Sequence, residues 1–457
     1  MKISEIVELQ RSYFNSGKTL DINVRINALL DLKEVLIMHE DEILEALYKD
    51  LNKDKMEGYL TETSMVIDEI NYAIKHIKKW TKKETVKTPI SQFPSKSIIY
   101  KQPYGIVLIL SPWNYPLQLC LAPLVGAIAA GNCAILKPSR SSKNTSRVIE
   151  KIINEHFKKD FLYCIEMNSK TSYEEILNEK YDYIMFTGSE RIGKVVMESA
   201  AKHLTPVTLE LGGKSPCIVD ETADIKLAAK RIAWGKFLNA GQTCVAPDYV
   251  VVQKSVKNEL VQNLIYSITE LYGKNSLESK HLPKIINEHH FNRLLNLIKD
   301  EKVLHGGLFS KELNKINPTI VDDITFKSPI MQEEIFGPLL PIIEYEDIND
   351  LIDRFKSMPH PLALYLFTKN KYTEKKVIEN VIYGGGCIND TIIHLANHNL
   401  PFGGVGSSGM GGYHGKHSFD TFSHKKSVIK KSLKIDIKLR YAPYSEEKLK
   451  KVRKILK

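Results

Sequence analysis

The chain has 457 residues, 43% of them hydrophobic and 26% charged, with a formal net charge of +10. Its length exceeds one compact core and suggests two domains with appendages or roughly three units, at roughly 150 residues each. No apolar run is long enough to cross a bilayer, the first residues lack a signal-peptide core, and the six cysteines include no Cys-x-x-Cys pair. Neither a disulfide framework nor a zinc site is expected, and a reducing, cytoplasmic setting is.

Residues up to about 80 are rich in helix formers, with Ile26, Leu29, Leu30, Leu32, Leu36 and Ile37 at helical spacings. Pro89, Pro94 and Pro103 then mark an extended arm, because proline excludes helix and favours edge strands. From residue 106 the pattern alternates. Residues 106–110, 133–136, 161–165 and 183–186 read as strands, 117–130 reads as an apolar helix, and Asn144 is placed as the cap of another. Repeated strand, helix, strand is the signature of a parallel sheet with helices on both faces, which binds ligands at the carboxyl ends of its strands. A second such unit starts at Ser215, with an Asp224-capped helix and a strand at 249–252. The closing region holds a Gly-rich loop at 403–415 and a strand expected at 418–422.

Chemistry concentrates in a few motifs. Phe-Leu-Asn-Ala-Gly-Gln-Thr-Cys ends on Cys244, and Leu-Glu-Leu-Gly-Gly-Lys at 209–214 contains Glu210. A thiol in a turn and an acid at a strand end suggest a nucleophile and a base, although a lone cysteine is more often a small buried hydrophobe. In Ser-Pro-Trp-Asn-Tyr-Pro, the amide of Asn114 suits an oxyanion, one such donor typically contributing ~3 kcal/mol. Phe-Thr-Gly-Ser-Glu-Arg-Ile-Gly at 186–193 joins a strand to a helix, where small residues let amides face a pyrophosphate. Lys137 suits a ribose hydroxyl and Arg140 a 2′-phosphate, against the plainer reading of two solvated cations. In Glu-Glu-Ile-Phe-Gly-Pro at 333–338, a carboxylate suits a nicotinamide ribose and Phe336 its ring.

In order and wording these motifs resemble the aldehyde dehydrogenase superfamily, from about residue 103 to 422. The short N-terminus and the closing Pro-Phe-Gly-Gly-Val-Gly and Ser-Phe-Asp-Thr-Phe-Ser-His stretches resemble its class 3 branch. The resemblance implies an α/β fold with a Rossmann-type cofactor domain (1–82 and 103–209), a second α/β catalytic domain (210–390) and a bridging β arm (83–102 and 416–430). Residues 391–415 would form the active-site entrance loop and 431–457 a basic tail. It implies NAD(P)-dependent oxidation of medium- or long-chain aliphatic or aromatic aldehydes, through a thiohemiacetal and thioester on Cys244. Glu210 is then the general base, Asn114 the oxyanion donor, and Glu333 a second candidate for assisting hydrolysis. Trp113, Lys137, Gly188, Ser189, Gly193, Glu334 and Phe336 hold the dinucleotide. Many members carry Glu where this chain has Arg140, so NADP is expected to be accepted alongside NAD. A homodimer is implied. The alternative is a non-redox thiol hydrolase on the same scaffold.

His394 and His398 have chelating spacing but no third ligand, so no metal is expected. From Lys425 onward there are thirteen Lys or Arg against Asp436, Glu446 and Glu447, which leaves the rest of the chain neutral. That argues against a nucleic-acid-binding face. Ser445 is placed to cap a basic amphipathic helix suited to peripheral contact with an anionic membrane, with a solvated end as the plainer alternative.

Overall fold

The Ile-Val-Leu-Ile-Leu run forms the strand Ile106–Leu110, and all five residues are buried. Its Val107 and Ile109 pack among Leu121, Val125 and Ile149, whereas Ile106, Leu108 and Leu110 meet Ile6, Val196 and Ala200. Successive side chains thus enter two different cores, as expected of a parallel strand covered on both faces. The computed structural model describes residues 1–456 and places this strand inside a six-stranded sheet. In spatial order the sheet runs Gly409–Met410, Val207–Glu210, Tyr183–Thr187, Ile106–Leu110, Cys133–Lys137 and Leu162–Cys164. All pairs are parallel except the first. A second sheet has seven strands, with Tyr249–Gln253 and Pro216–Val219 near its centre and only Lys302–His305 antiparallel. The expected α/β architecture of two wound sheets is therefore present.

The third sheet is the arm, in which Ser95–Pro103 lies between Glu84–Val86 and Ser423–Lys431, all antiparallel. One part of the expected arm is different. Residues 418–422 are not a strand, because Gly415–Thr421 is a helix and the strand starts only at Ser423. The Phe-x-x-Phe spacing here has the helical period: Phe419 and Phe422 are both buried, and Phe422 and Ser418 crowd against Gly126 of the helix Gln118–Ala130.

The expected cap at Asn144 is corrected too. The helix is Lys143–His156, and its first amides are held by a residue far away in sequence. Asp50 Oδ1 accepts from the Asn144 amide and side chain, while Oδ2 accepts from the Thr145 amide and hydroxyl. Asn144 is a donor to the capping group, not the cap itself. Asp224 does cap its helix, accepting from the Leu227 amide, and Ser445 caps Glu446–Ile455 through the Lys448 amide.

The Gly-rich loop has a defined task. Gly409 lies opposite Glu210 in the sheet, at φ +141°, and a Cβ there would come within 2.1 Å of the Leu209 carbonyl oxygen. Only glycine lets this segment close against the strand that carries Glu210.

Candidate active site

The helix Ile225–Phe237 ends just before the nucleophile candidate, and three successive residues then take left-handed conformations. Asn239 and Ala240 have φ of 51° and 52°, and Gly241 has 73°. A Cβ on Gly241 would stand 2.2 Å from the Gly337 carbonyl oxygen. Left-handed Asn is tolerable, but Ala there costs roughly 1–2 kcal/mol and must be held by its surroundings. The holding groups are explicit. The Asn239 amide donates to Glu57 Oε1 at 2.9 Å, and its side chain donates to the carbonyls of Asn114 and Gln242. Gln242 donates in turn to the Asn239 and Lys284 carbonyls and accepts from the Ile286 amide.

This turn delivers Cys244 to the meeting point of two cavities. The first, about 250 Å³, is lined by apolar groups that include Leu60, Met65, Trp234 and Phe402. Tyr115, Leu238, Ile392 and Leu395 also line it. The second, about 320 Å³, is lined by Trp113, Asn114, Gly188, Ser189, Glu333, Glu334 and Phe336. Leu119, Thr187, Glu210 and Cys244 belong to both. A third cavity, about 290 Å³, holds Lys137, Arg140 and Tyr173 with no acid in its lining.

Electrostatics at the sulfur disfavour the thiolate. Burial, then the carboxyls of Glu334 and Glu210, pushes the Cys244 thiol up to about 12, while the amides of Cys244 and Val245 pull the other way. Glu210 is buried at the end of its strand, and neither carboxyl oxygen meets a donor among the described residues. Desolvation therefore raises its pKa well above the carboxylate range. Of the neighbouring acids, Glu334 and not Glu333 acts on the sulfur. Burial and the Asp248 carboxylate push Glu334 up to about 8, against a hydrogen bond from the Gly213 amide. Glu333 is exposed at the rim and pairs with Arg293 at 3.2 Å.

Asn114 is buried beside the thiol loop, its side-chain amide donating to the Gln242 carbonyl at 3.0 Å. Trp113 meets Phe336 edge-on at 5.4 Å and His290 at 5.1 Å, which makes an aromatic wall for the second cavity. The two glycines of the strand-to-helix turn do not offer their amides to a ligand. The Gly188 amide donates to the Glu210 carbonyl and the Gly193 amide to that of Ser189. Their smallness makes room instead for the Phe186 ring and Leu211, each under 3.0 Å from where a Cβ would be. Ser189 sits at the N-cap of Glu190–Ala201 without a side-chain cap bond and lines the second cavity, so that helix end borders it.

Lys137 is half-buried and donates only to the carbonyl of Pro138. Arg140 is braced by the carbonyls of Ser169 at 2.9 Å and Thr171 at 3.4 Å. His394 and His398 do not share a ligand. His394 faces the Cys387 sulfur, and His398 bridges Asp68 and Glu69. Sequence reasoning missed Lys53, Glu57, Glu62, Asn239, Gln242 and His290. The first three lie in a charged stretch that looks solvated, and nothing local to them signals burial.

The family model described as "Aldehyde dehydrogenase family" matches residues 1–428. The chain is 48% identical to the 4,4′-diaponeurosporen-aldehyde dehydrogenase of Staphylococcus aureus (strain NCTC 8325 / PS 47), covering 95% of each. It is 44% identical to the dimeric NADP-preferring aldehyde dehydrogenase of Canis lupus familiaris, over 97% of this chain and 98% of that one. It also superposes on the substrate-bound state of Staphylococcus aureus AldH with a TM-score of 0.96, 46% identity and complete coverage of both chains. With this similarity spanning nearly every residue, the chain belongs to the aldehyde dehydrogenase family.

Proposed function

We propose that this enzyme oxidises apolar aldehydes, of medium or long chain or aromatic, to carboxylic acids with NAD(P)⁺ and water. The observation that carries the reading is the place of Cys244 and Glu210 on the boundary shared by an apolar cavity and a polar one. The apolar cavity takes the aldehyde's tail, and the diaponeurosporen-aldehyde relative supports a long apolar substrate.

The second and third cavities fit a dinucleotide. An aromatic wall of Trp113 and Phe336 suits the nicotinamide, Glu334 and Lys137 suit ribose hydroxyls, and the helix end at Ser189 suits the pyrophosphate. When bound, oxidised nicotinamide supplies the hydride acceptor. The protein does the rest. Cys244 gives up its proton to solvent and its sulfur bonds to the aldehyde carbon, while Asn114 and the Cys244 amide hold the oxygen that becomes negative. Loss of hydride from that carbon leaves a thioester. Glu210 takes a proton from water, the water oxygen bonds to the acyl carbon, and the carbon–sulfur bond breaks to release the acid and return the thiolate. The base makes hydrolysis, not acyl transfer to coenzyme A, the favoured outcome. In this reading residues 1–82 and 103–209 form the cofactor domain and 210–390 the catalytic domain. The arm of 83–102 and 416–430 bridges two subunits, residues 391–415 edge the entrance, and 431–457 form a tail.

A panel of aldehydes from two carbons upward tests the substrate class. Each methylene buried in the apolar cavity contributes about 0.8 kcal/mol, so kcat/KM is expected to climb about fourfold per carbon until the cavity is filled. A flat or falling series would remove the apolar-substrate reading.

Arg140 stands beside a cavity with no acid, and a relative is described as NADP-preferring. Arg140→Glu is expected to lower the NADP/NAD ratio of kcat/KM at least tenfold, because a charge-assisted phosphate contact contributes about 1.5–3 kcal/mol. An unchanged ratio would reduce Arg140 to a surface cation.

No helix among the described residues is long and apolar enough to cross a membrane. The helix Glu446–Ile455 is exposed, with Leu449 and Ile455 apolar among its cations. It suits peripheral contact with anionic lipid, each near-surface cation contributing ~1 kcal/mol. Full-length protein is expected to pellet with phosphatidylserine vesicles while protein ending at Ser432, just after the arm strand, stays in solution; equal pelleting of both dismisses the idea.

A further inference from the structure

A fully buried ion pair lies against the loop that carries Asn114. Lys53 and Glu62 are completely buried, with Nζ and Oε1 2.6 Å apart. Lys53 Nζ also donates to the Asn114 carbonyl at 3.0 Å and stands 4.0 Å from the centre of the Tyr115 ring. Glu62 Oε2 accepts from the amides of Leu117 and Gln118. A buried ion pair is a poor way to gain stability, since desolvation offsets its attraction. Its partners here are the loop that presents Asn114 and the first residue of the helix that follows it. A few residues along, Glu57 accepts the Asn239 amide, in the left-handed turn that leads to Cys244. Asn239 closes the circuit, because its side chain donates to the same Asn114 carbonyl that Lys53 holds.

We propose that Lys53 and Glu57, with Glu62 as the countercharge, are positioning residues for the oxyanion site. Lys53 sets the Asn114 loop and Glu57 sets the Cys244 turn, so one N-terminal segment fixes the distance between the two oxyanion donors. The inference rests on the reading of Asn114 as such a donor. The segment's shape fits the task. Tyr59–Thr63 is a π-helical turn, a form often found at functional sites. Through it, Leu60 and Thr61 line the apolar cavity while Glu62 is directed into the interior.

The test removes both charges together, so that neither is left buried alone. Lys53→Met/Glu62→Gln is compared with wild type, with Asn114→Ala, and with the three substitutions combined, by kcat, KM and thermal unfolding. The expected result is a folded enzyme with both KM values within about twofold and kcat reduced about tenfold or more, a substantial part of the effect of one oxyanion donor. On the Asn114→Ala background the same pair change is expected to add less than about twofold, since both act through one group. Glu57→Leu is expected to lower kcat similarly, and Glu57→Gln, which keeps the acceptor, to recover most of that loss. A full kcat in Asn114→Ala overturns the oxyanion reading and this inference with it. A crippled Asn114→Ala beside a fully active pair variant, or losses that multiply independently, overturns the positioning inference alone. Equal activity in Glu57→Leu and Glu57→Gln overturns the part assigned to Glu57.

Discussion

Cys244→Ser is expected to lower aldehyde oxidation by at least about 10⁴-fold, the scale seen when a covalent nucleophile is removed from a hydrolase site. The substituted oxygen would occupy the same turn, whose Asn239, Ala240 and Gly241 backbone is held by contacts that do not involve the sulfur. Thermal unfolding and dinucleotide affinity should therefore change little, which separates chemistry from folding. Serine fails because its hydroxyl ionises far less readily than a thiol. The sulfur's own surroundings sharpen the expectation. With the thiol pushed up to about 12 by burial and two nearby carboxyls, the thiolate fraction grows with pH across the whole neutral and alkaline range. Alkylation of Cys244 in the free enzyme should still be accelerating at pH 10. A Ser variant retaining a tenth of wild-type oxidation would contradict the mechanism.

Glu210→Gln should stall the reaction after hydride loss. Neutral amide replaces carboxyl with nearly the same shape, so thioester formation continues while its hydrolysis slows about 10²–10⁴-fold. The measurement is a rapid burst of reduced dinucleotide equal to one turnover per subunit, followed by a slow phase, with an acylated Cys244 detected by mass spectrometry. The pH profile provides a second check. Burial raises the Glu210 carboxyl well above its usual range, so the base form is scarce at low pH and increases as pH rises. Wild-type kcat should rise with pH through that titration, and the Gln variant should lose the rise. If the variant shows neither burst nor acyl-enzyme, the base belongs to another residue, with Glu334 and Glu333 of the same cavity the rivals.

Much of this site was legible because its chemistry is written in short contiguous stretches. The turn holding Cys244, the strand end holding Glu210, and the loop holding Asn114 each carry their own glycines or prolines, and those punctuate the backbone where a reacting group must be exposed. The parallel sheet was equally visible, since strands such as Ile106–Leu110 are apolar throughout. What escaped depends on partners distant in the chain. Asn144 has a capping residue's identity, yet Asp50 supplies the cap from 94 positions earlier. The Ser-Phe-Asp-Thr-Phe stretch is rich in strand-favouring Phe and Thr, but contact with Gly126 bears out the helical spacing of its two phenylalanines. Gly188 and Gly193 look like amide donors to an anion until the Phe186 ring and Leu211 fill the space their missing side chains leave. Lys53 and Glu62 stand among charged neighbours, and only tertiary packing reveals that they see no solvent.

The two cavities touch only around four residues, one of which is the sulfur-bearing Cys244. On the proposed reading tail and coenzyme occupy separate cavities, so lengthening one guest does not crowd the other. Residues such as Leu60 and Leu395 would then tune chain length and Arg140 the coenzyme, as two separate dials on a fixed reaction chamber.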